Sequence, residues 1–492
     1  MSKFWFTILL VISFLSVRAE FDFNENCKTA YQKILSLKMA EASSIINDEK
    51  NRNPANLIPL YLENYSEFLR TFIDEDKSSF KKFKENCEMR LELLEGGQSN
   101  SPYYYYTQAE LYLQSAIARI KFEEYISASY DFYKAYNLYS KNVTQFPDFI
   151  PNKKGLGILH VLIGAIPSSF QWLIGILGMD GNIKQGLSEL HELLDNKQAE
   201  YEYLHNESLF ILTYILYQFH LNMDRVWEIM QANKSELQDN PILCFAYSVV
   251  AMKKGNNDDG IKALLSNPVN NNHYPFYILD YQLGLAKLRR LDNDACIYFE
   301  KFIKSFKGRH KIKSAYQKLA WYYLLKNNTK RYHHYMNLCL KRGDAVIGED
   351  KIAFNAAISE NIPHKILVKA RLLFDGGYYE RALEELEKVS QNELIRDREK
   401  VELSYRYGRI YHEWQKLEKA VPFYKETISK GRELPYYFAA NAALQLGYIF
   451  EGQNLYDEAR KYYKLCLSME DHEYKYSLDQ KAKVALKRIE NV

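Results

Sequence analysis

The sequence predicts an all-α protein: an α-solenoid of helical hairpins stacked in a right-handed superhelix. Three observations predict it. Apolar residues recur at intervals of three to four along nearly the whole chain. Gly and Pro, which an all-β fold spends on tight turns, number only 21 and 12 in 492 residues. A pattern of small and aromatic residues repeats near the C-terminus. With 47% hydrophobic and 26% charged residues, the chain has the balance of a folded protein. Its 65 Lys and Arg against 62 Asp and Glu leave no basic excess of the kind that a sequence-independent nucleic-acid binder shows.

In chain order, the N-terminus reads as an export signal. Lys3 gives a short positive start, Phe4 to Val17 is uncharged and mostly apolar, and Val17-Arg18-Ala19 places small residues where a signal peptidase cuts. The expected division is a signal peptide over 1–19, an N-terminal helical region over 20–240 and C-terminal repeats over 241–492. Export makes the protein periplasmic in a Gram-negative bacterium and secreted otherwise. Residues 27–94 read as helices, broken at Asn53-Pro54-Ala55-Asn56 and at Asp74-Glu75-Asp76-Lys77. Ser101-Pro102 has the form of an N-cap followed by proline at the first helical position. From Gly155 to Met179 no residue is charged, a length that could span a bilayer. Pro167, Ser168-Ser169 and Gln171 interrupt it, so two short apolar helices buried between repeats are expected. Docking on a membrane through this segment is the alternative.

The repeat itself is clearest over 401–434 and 440–473. Tyr407-Gly408-Arg409-Ile410-Tyr411, Ala420 and Tyr424 match Leu446-Gly447-Tyr448-Ile449-Phe450, Ala459 and Tyr463 at an offset of 39 residues. This order, with nine residues from the aromatic to Ala and four more to the next aromatic, is the tetratricopeptide spacing. Small residues let two helices approach, and the aromatics are expected between neighbouring hairpins. Weaker copies lie at Ala128, Phe132 and Ala135; at Leu283-Gly284, Ala295 and Phe299; at Leu372 to Phe374 with Tyr379, Ala382 and Leu386; and at Ala320 to Leu325 with Tyr332 and Tyr335. Pro422 is tolerable if its helix starts near Leu417.

Two families share parts of this text. Asn53-Pro54-Ala55-Asn56-Leu57-Ile58-Pro59, Ser101-Pro102-Tyr103, Phe146 to Lys154 and Gly157-x-x-His160 resemble a family of exported tetratricopeptide-repeat proteins of Gram-negative bacteria. Gly178-Met179-Asp180-Gly181 with Gly186-Leu187 is similar to the tetratricopeptide repeat protein 39 and inclusion-body-clearance family of eukaryotes, although Asn182-Ile183-Lys184 stands where that family carries charged residues. Neither resemblance implies a catalytic residue.

The search for reaction chemistry returns no catalytic, cofactor or metal candidate. Nucleophile-elbow, zinc-protease, P-loop and dinucleotide signatures do not occur. Ser78-Ser79-Phe80-Lys81 matches only two fixed residues. His333-His334 point about 100° apart on a helix and cannot share a metal. His160 reads as a core histidine with its hydrogen bonds met. The six cysteines form no Cys-x-x-Cys pair and read as small buried hydrophobes. Five glycosylation sequons occur, at Asn64, Asn142, Asn206, Asn233 and Asn327. The expected function is therefore a non-enzymatic scaffold in the cell envelope for other proteins or peptides, with no nucleic-acid partner; an enzyme with an unrecognised site in the superhelix lumen is a further alternative. Its first helices would line a concave face. The register puts Glu402, Tyr405, Arg409 and His412, then Asn441, Leu444, Tyr448 and Glu451, on that face. Tyr405, Arg409, His412, Asn441 and Tyr448 are the expected protein contacts.

Overall fold

The computed structural model describes residues 19–166, 177–219, 221–266, 269–390 and 393–490. The expected signal core and the stretch around Pro167 lie outside the described residues. The structure is 75% helical. Among the described residues the only β feature is one bridge, between Glu20 and Asn56. The chain forms two compact units: residues up to Leu221 with 238–243 and 269–276, and the remainder.

In the first unit the helices run α1 (Glu25–Leu35), α2 (Met39–Arg52), α3 (Ile58–Asp74), α4 (Lys77–Glu95), α5 (Pro102–Lys121), α6 (Tyr125–Gln145), α7 (Asn152–Ala165), α8 (Ile183–Leu194) and α9 (His205–Gln218). Consecutive helices pair, and the first helix of each pair packs on the next, α1 on α3, α3 on α5 and α5 on α7. The local signals are where the sequence puts them. Ser101 caps α5 through the Tyr103 amide, with Pro102 next. Asp76 caps α4 by accepting from the Ser79 amide, just after Glu75 ends α3 in the left-handed conformation.

The Asn53–Asn56 break does more than stop a helix. Glu49, 1% exposed at the end of α2, accepts side-chain amides from Asn24 (2.7 Å), Asn26 (2.9 Å), Asn53 (2.8 Å) and Asn56 (3.0 Å). Burial opposes its ionisation, but the four amide bonds outweigh it and hold the carboxyl at about 2. A folded value below the unfolded one stabilises the protein above the unfolded pKa, and the gain is lost as pH falls through the folded one. Unfolding by urea should therefore show about 3 kcal/mol lost between pH 4.5 and 2 from this residue alone. Glu49→Gln should remove that slope and lower stability at pH 7. An unchanged acid limb in the variant would contradict the assignment.

In the second unit, α10 (Met223–Ala232), α11 (Pro241–Lys253, whose first turn belongs to the first unit) and α12 (Asn257–Ser266) precede the pairs α13 (Ile278–Arg290) with α14 (Ala295–Ser305), and α15 (Ile312–Leu325) with α16 (Thr329–Lys341). A single helix, α17 (Gly348–Ile358), interrupts the alternation. Then come α18 (Lys365–Asp375) with α19 (Tyr379–Glu387), α20 (Asp397–Glu413) with α21 (Leu417–Gly431), α22 (Phe438–Gly452) with α23 (Tyr456–Ser468), and α24 (Lys475–Ile489). The first helices again pack in a row, α18 on α20, α20 on α22 and α22 on α24. The winding is tight enough that α13 also meets α18.

The tetratricopeptide positions pack as such hairpins require, with one change from expectation. A Cβ on Gly408 would sit 2.7 Å from the Tyr424 ring, and one on Gly447 only 2.2 Å from Tyr463. The repeat aromatic thus lies on the glycine of its own hairpin rather than only between hairpins. Gly284 faces Phe299 in the same way, at 3.2 Å. Gly447→Leu should cost about 1–3 kcal/mol by overpacking. Because each repeat is held mainly by its neighbours, calorimetry should show α22 to α24 unfolding first; an unchanged melting profile would show that the ring moves aside freely. Pro422 sits in the second turn of α21, one turn deeper than expected, and leaves the Glu418 carbonyl without its helical donor.

The apolar segment is among the described residues in part. α7 buries Gly155, Gly157, Leu159, Val161 and Ile163 and packs on α8. Among the described residues no helix is long and apolar enough to cross a membrane. All six cysteines are free, five of them buried. Asn64 and Asn142 are fully buried, so their sequons cannot carry a glycan in the folded protein.

Candidate functional site

The first helices of the second unit carry the residues expected to bind, and the structure brings three of them together. The Tyr405 hydroxyl donates to Asn441 Oδ1 at 3.0 Å, across from α20 to α22. Arg409 Nη1 reaches the same hydroxyl at 3.4 Å, and Nη2 donates to Glu413 at 2.9 Å. The Arg409 guanidinium also lies 5.3 Å from the Phe374 ring centre. The Tyr405 ring itself is buried against Tyr437 and Phe438, so only its hydroxyl edge belongs to the face.

The other two lie elsewhere. His412 is turned into its hairpin, with Nδ1 3.2 Å from the buried Tyr424 hydroxyl. Burial keeps it below the ordinary histidine pKa, Glu413 opposing and Arg409 assisting, so it is neutral at pH 7. Tyr448 stands two turns beyond Asn441, in an open hollow of about 430 Å³ shared with Glu451, Gly452, Tyr456, Arg488 and Ile489. Arg488 closes on Glu451 there through two bonds, 2.5 and 2.7 Å long. Leu444, expected on the face, is core at 1% exposure. A concave helix face is about half apolar packing, and the heptad-like register cannot tell its edge from its floor.

Further charged side chains lie along these helices: Glu402, which the register already puts on the face, and others that it does not single out. Glu402 binds Arg406 at 2.7 Å, and Arg398 binds Glu473 at 2.8 Å while lying over Tyr436. Burial disfavours the Glu402 charge, but Arg406, Arg371 and Arg398 together hold its carboxyl below the usual range. Lys318 and Arg371 both reach the Trp321 indole. None of these has a sequence motif; their convergence follows only from the stacking of α13, α15, α18 and α20.

A second cluster is buried in the first unit. Lys154 Nζ, 2% exposed, lies 2.7 Å from Glu110, 3.1 Å from Glu207 and 3.1 Å from the Tyr31 hydroxyl. Tyr31 and Tyr65 donate to Glu207, and Tyr139 and Tyr61 to Glu110. The rings of Tyr31, Tyr65 and Tyr106 surround the ammonium at 5.6–5.8 Å. Every donor of Lys154 is used and the carboxylates are saturated, so the cluster joins helices rather than receiving a substrate. His160 likewise has its partners, Glu189 at 2.7 Å and Gln185 at 3.5 Å. Among the described residues no group of His, Cys, Asp and Glu is arranged to hold a metal ion.

No protein-family model matches the chain, and no curated protein matches it. Similar solved structures include the P58(IPK) TPR domain, 13% identical, covering 88% of this chain and 99% of that one with a TM-score of 0.22. The Cut9–Hcn1 hetero-tetramer of the APC/C is 10% identical, covering 94% and 95% with a TM-score of 0.23. Superpositions this loose carry no argument, and the helical-hairpin fold rests on the chain's own packing.

Proposed function

We propose that this chain is an exported, non-enzymatic scaffold that binds a segment of another protein along the first-helix face of its second unit. One observation carries the reading. Arg409, Asn441, Arg371 and Lys318 are partly exposed on first helices of several repeats, and the hydroxyl of the buried Tyr405 joins Arg409 to Asn441. Aromatic and arginine side chains with a polar rim are the groups that contribute most at protein interfaces. The saturated Lys154 cluster supports the non-enzymatic part, because its polar atoms are already bonded to one another.

A photo-crosslinking residue placed at Arg409 or Asn441 should capture the same partner peptide, identified by mass spectrometry. One placed at Lys461 on the outer helix α23 should not. Crosslinks arising only from Lys461 would defeat the proposal. Export is checked separately: protein from its native host should begin at Glu20, and an intact Met1 would argue against cleavage.

A further inference from the structure

Two cations, Lys318 and Arg371, meet at Trp321 on the first-helix face, and Arg289 lies near them. Lys318 of α15 has its Nζ 4.0 Å from the Trp321 ring centre and donates to Gln317 Oε1 at 2.8 Å. The Arg371 guanidinium of α18 lies 5.1 Å from the same ring, with Asp375 at 3.8 Å. Arg289 of α13 packs its stem beside Gly376, at the end of α18. These three helices pack on one another. Glu349, the other carboxylate near Lys318, is engaged by Lys311 at 2.6 Å and by the Tyr281 hydroxyl at 3.1 Å. Glu402, near Arg371, is held by Arg406 at 2.7 Å, which leaves Asp375 as the carboxylate facing these cations and the cradle net positive.

We propose that Lys318 and Arg371, at the Trp321 ring, form a binding site for a phosphate dianion, with Arg289 adding positive charge from α13. The cradle is positive, the Arg371 guanidinium offers paired N–H donors suited to phosphate oxygens, and Arg371 is 37% exposed. Lys318 stands to gain from an anion. Burial, with Arg371, pushes it down to about 7 against Glu349 and Asp375, with Arg289 adding to the fall. A bound dianion would restore its charge. Lys253, with Glu413 and Arg409 beyond it, stands at the edge of the same field. The phosphate comes either free, on a small molecule, or on a side chain of the segment that the proposed function places here; the site rests on that reading only in the last case.

The experiment uses tryptophan fluorescence of the full chain, titrated with sodium phosphate at constant ionic strength. A saturable change should appear that Trp321→Phe abolishes. Arg371→Met and Lys318→Met should each weaken binding about tenfold with helicity unchanged, while Lys461→Met has no effect. A phosphoserine decapeptide that binds more tightly than inorganic phosphate, when its unphosphorylated form does not bind, assigns the phosphate to a protein. Equal affinities assign it to a free or small-molecule source. No saturable change at tens of millimolar phosphate, or equal affinity in both cation variants, overturns the site. Crosslinks at Arg409 and Asn441 that survive such a failure would leave the groove standing without the phosphate. Phosphate binding without crosslinks would do the reverse.

Discussion

Replacing Lys154 with methionine is expected to destabilise the first unit by about 3–5 kcal/mol, because the change strands two carboxylates beside one another in the core. Glu110 and Glu207 come from α5 and α9, and Lys154 from α7, so the ammonium ties three helices that share no sequence neighbour. Burial raises the Glu110 carboxyl despite the attraction of Lys154, with Glu207 adding to the rise. A raised acid favours folding below its unfolded value and loses that favour as pH climbs through the folded one. The cost of Lys154→Met should therefore be smaller at pH 5 than at pH 7, when urea unfolding is followed at both. Adding Glu110→Gln should recover part of the loss. A single variant within about 1 kcal/mol of the parent would mean that water reaches the cluster.

The second large effect is expected at Gly186→Leu. The helices α7 and α8 cross where Gly157 faces Gly186. A Cβ on Gly186 would lie 2.4 Å from the Gly157 carbonyl oxygen and 2.8 Å from the Val161 amide nitrogen. Both are backbone atoms of a helix and cannot swing aside as the tyrosine beside Gly447 can. The helices must separate, at a cost of about 3 kcal/mol or more, the upper end of overpacking. The melting temperature should fall by roughly 5–10 °C for a unit of this size. Gly186→Ala should show a smaller loss of the same sign. An unshifted melt in Gly186→Leu would deny the crossing.

These two sites differ in how far the sequence announced them. Gly157 and Gly186 both stood out in the sequence, but nothing in the spacing says that they face each other. In the sequence Lys154 stands out only as the end of the Phe146 to Lys154 stretch, just before the uncharged run that starts at Gly155. A lone Lys before such a run is usually solvated, and the carboxylates that capture it lie 44 residues before it and 53 after. The same holds for Lys318, Arg371 and Arg289, which occupy three separate repeats. Of the expected contacts, Tyr405, Arg409 and Asn441 meet, because a residue's position on a helix follows from its own register. His412 and Tyr448 share that register but are claimed by Tyr424 and by the α24 side of the hollow.

The sequence by itself determined what acts within a few turns of chain: helices throughout, the cap at Ser101, the breaks at Asn53–Asn56 and Asp74–Lys77, and the glycine–alanine–aromatic order that makes a hairpin. Each follows from interactions between residues a few positions apart, which the linear text records. Only the tertiary structure decided which charges are neutralised. It gathered four asparagines on Glu49 and two glutamates on Lys154, and it brought Lys318 and Arg371 from separate repeats onto Trp321. The energy of a charge depends on distance and burial in three dimensions, and the stacking of helices far apart in sequence sets both.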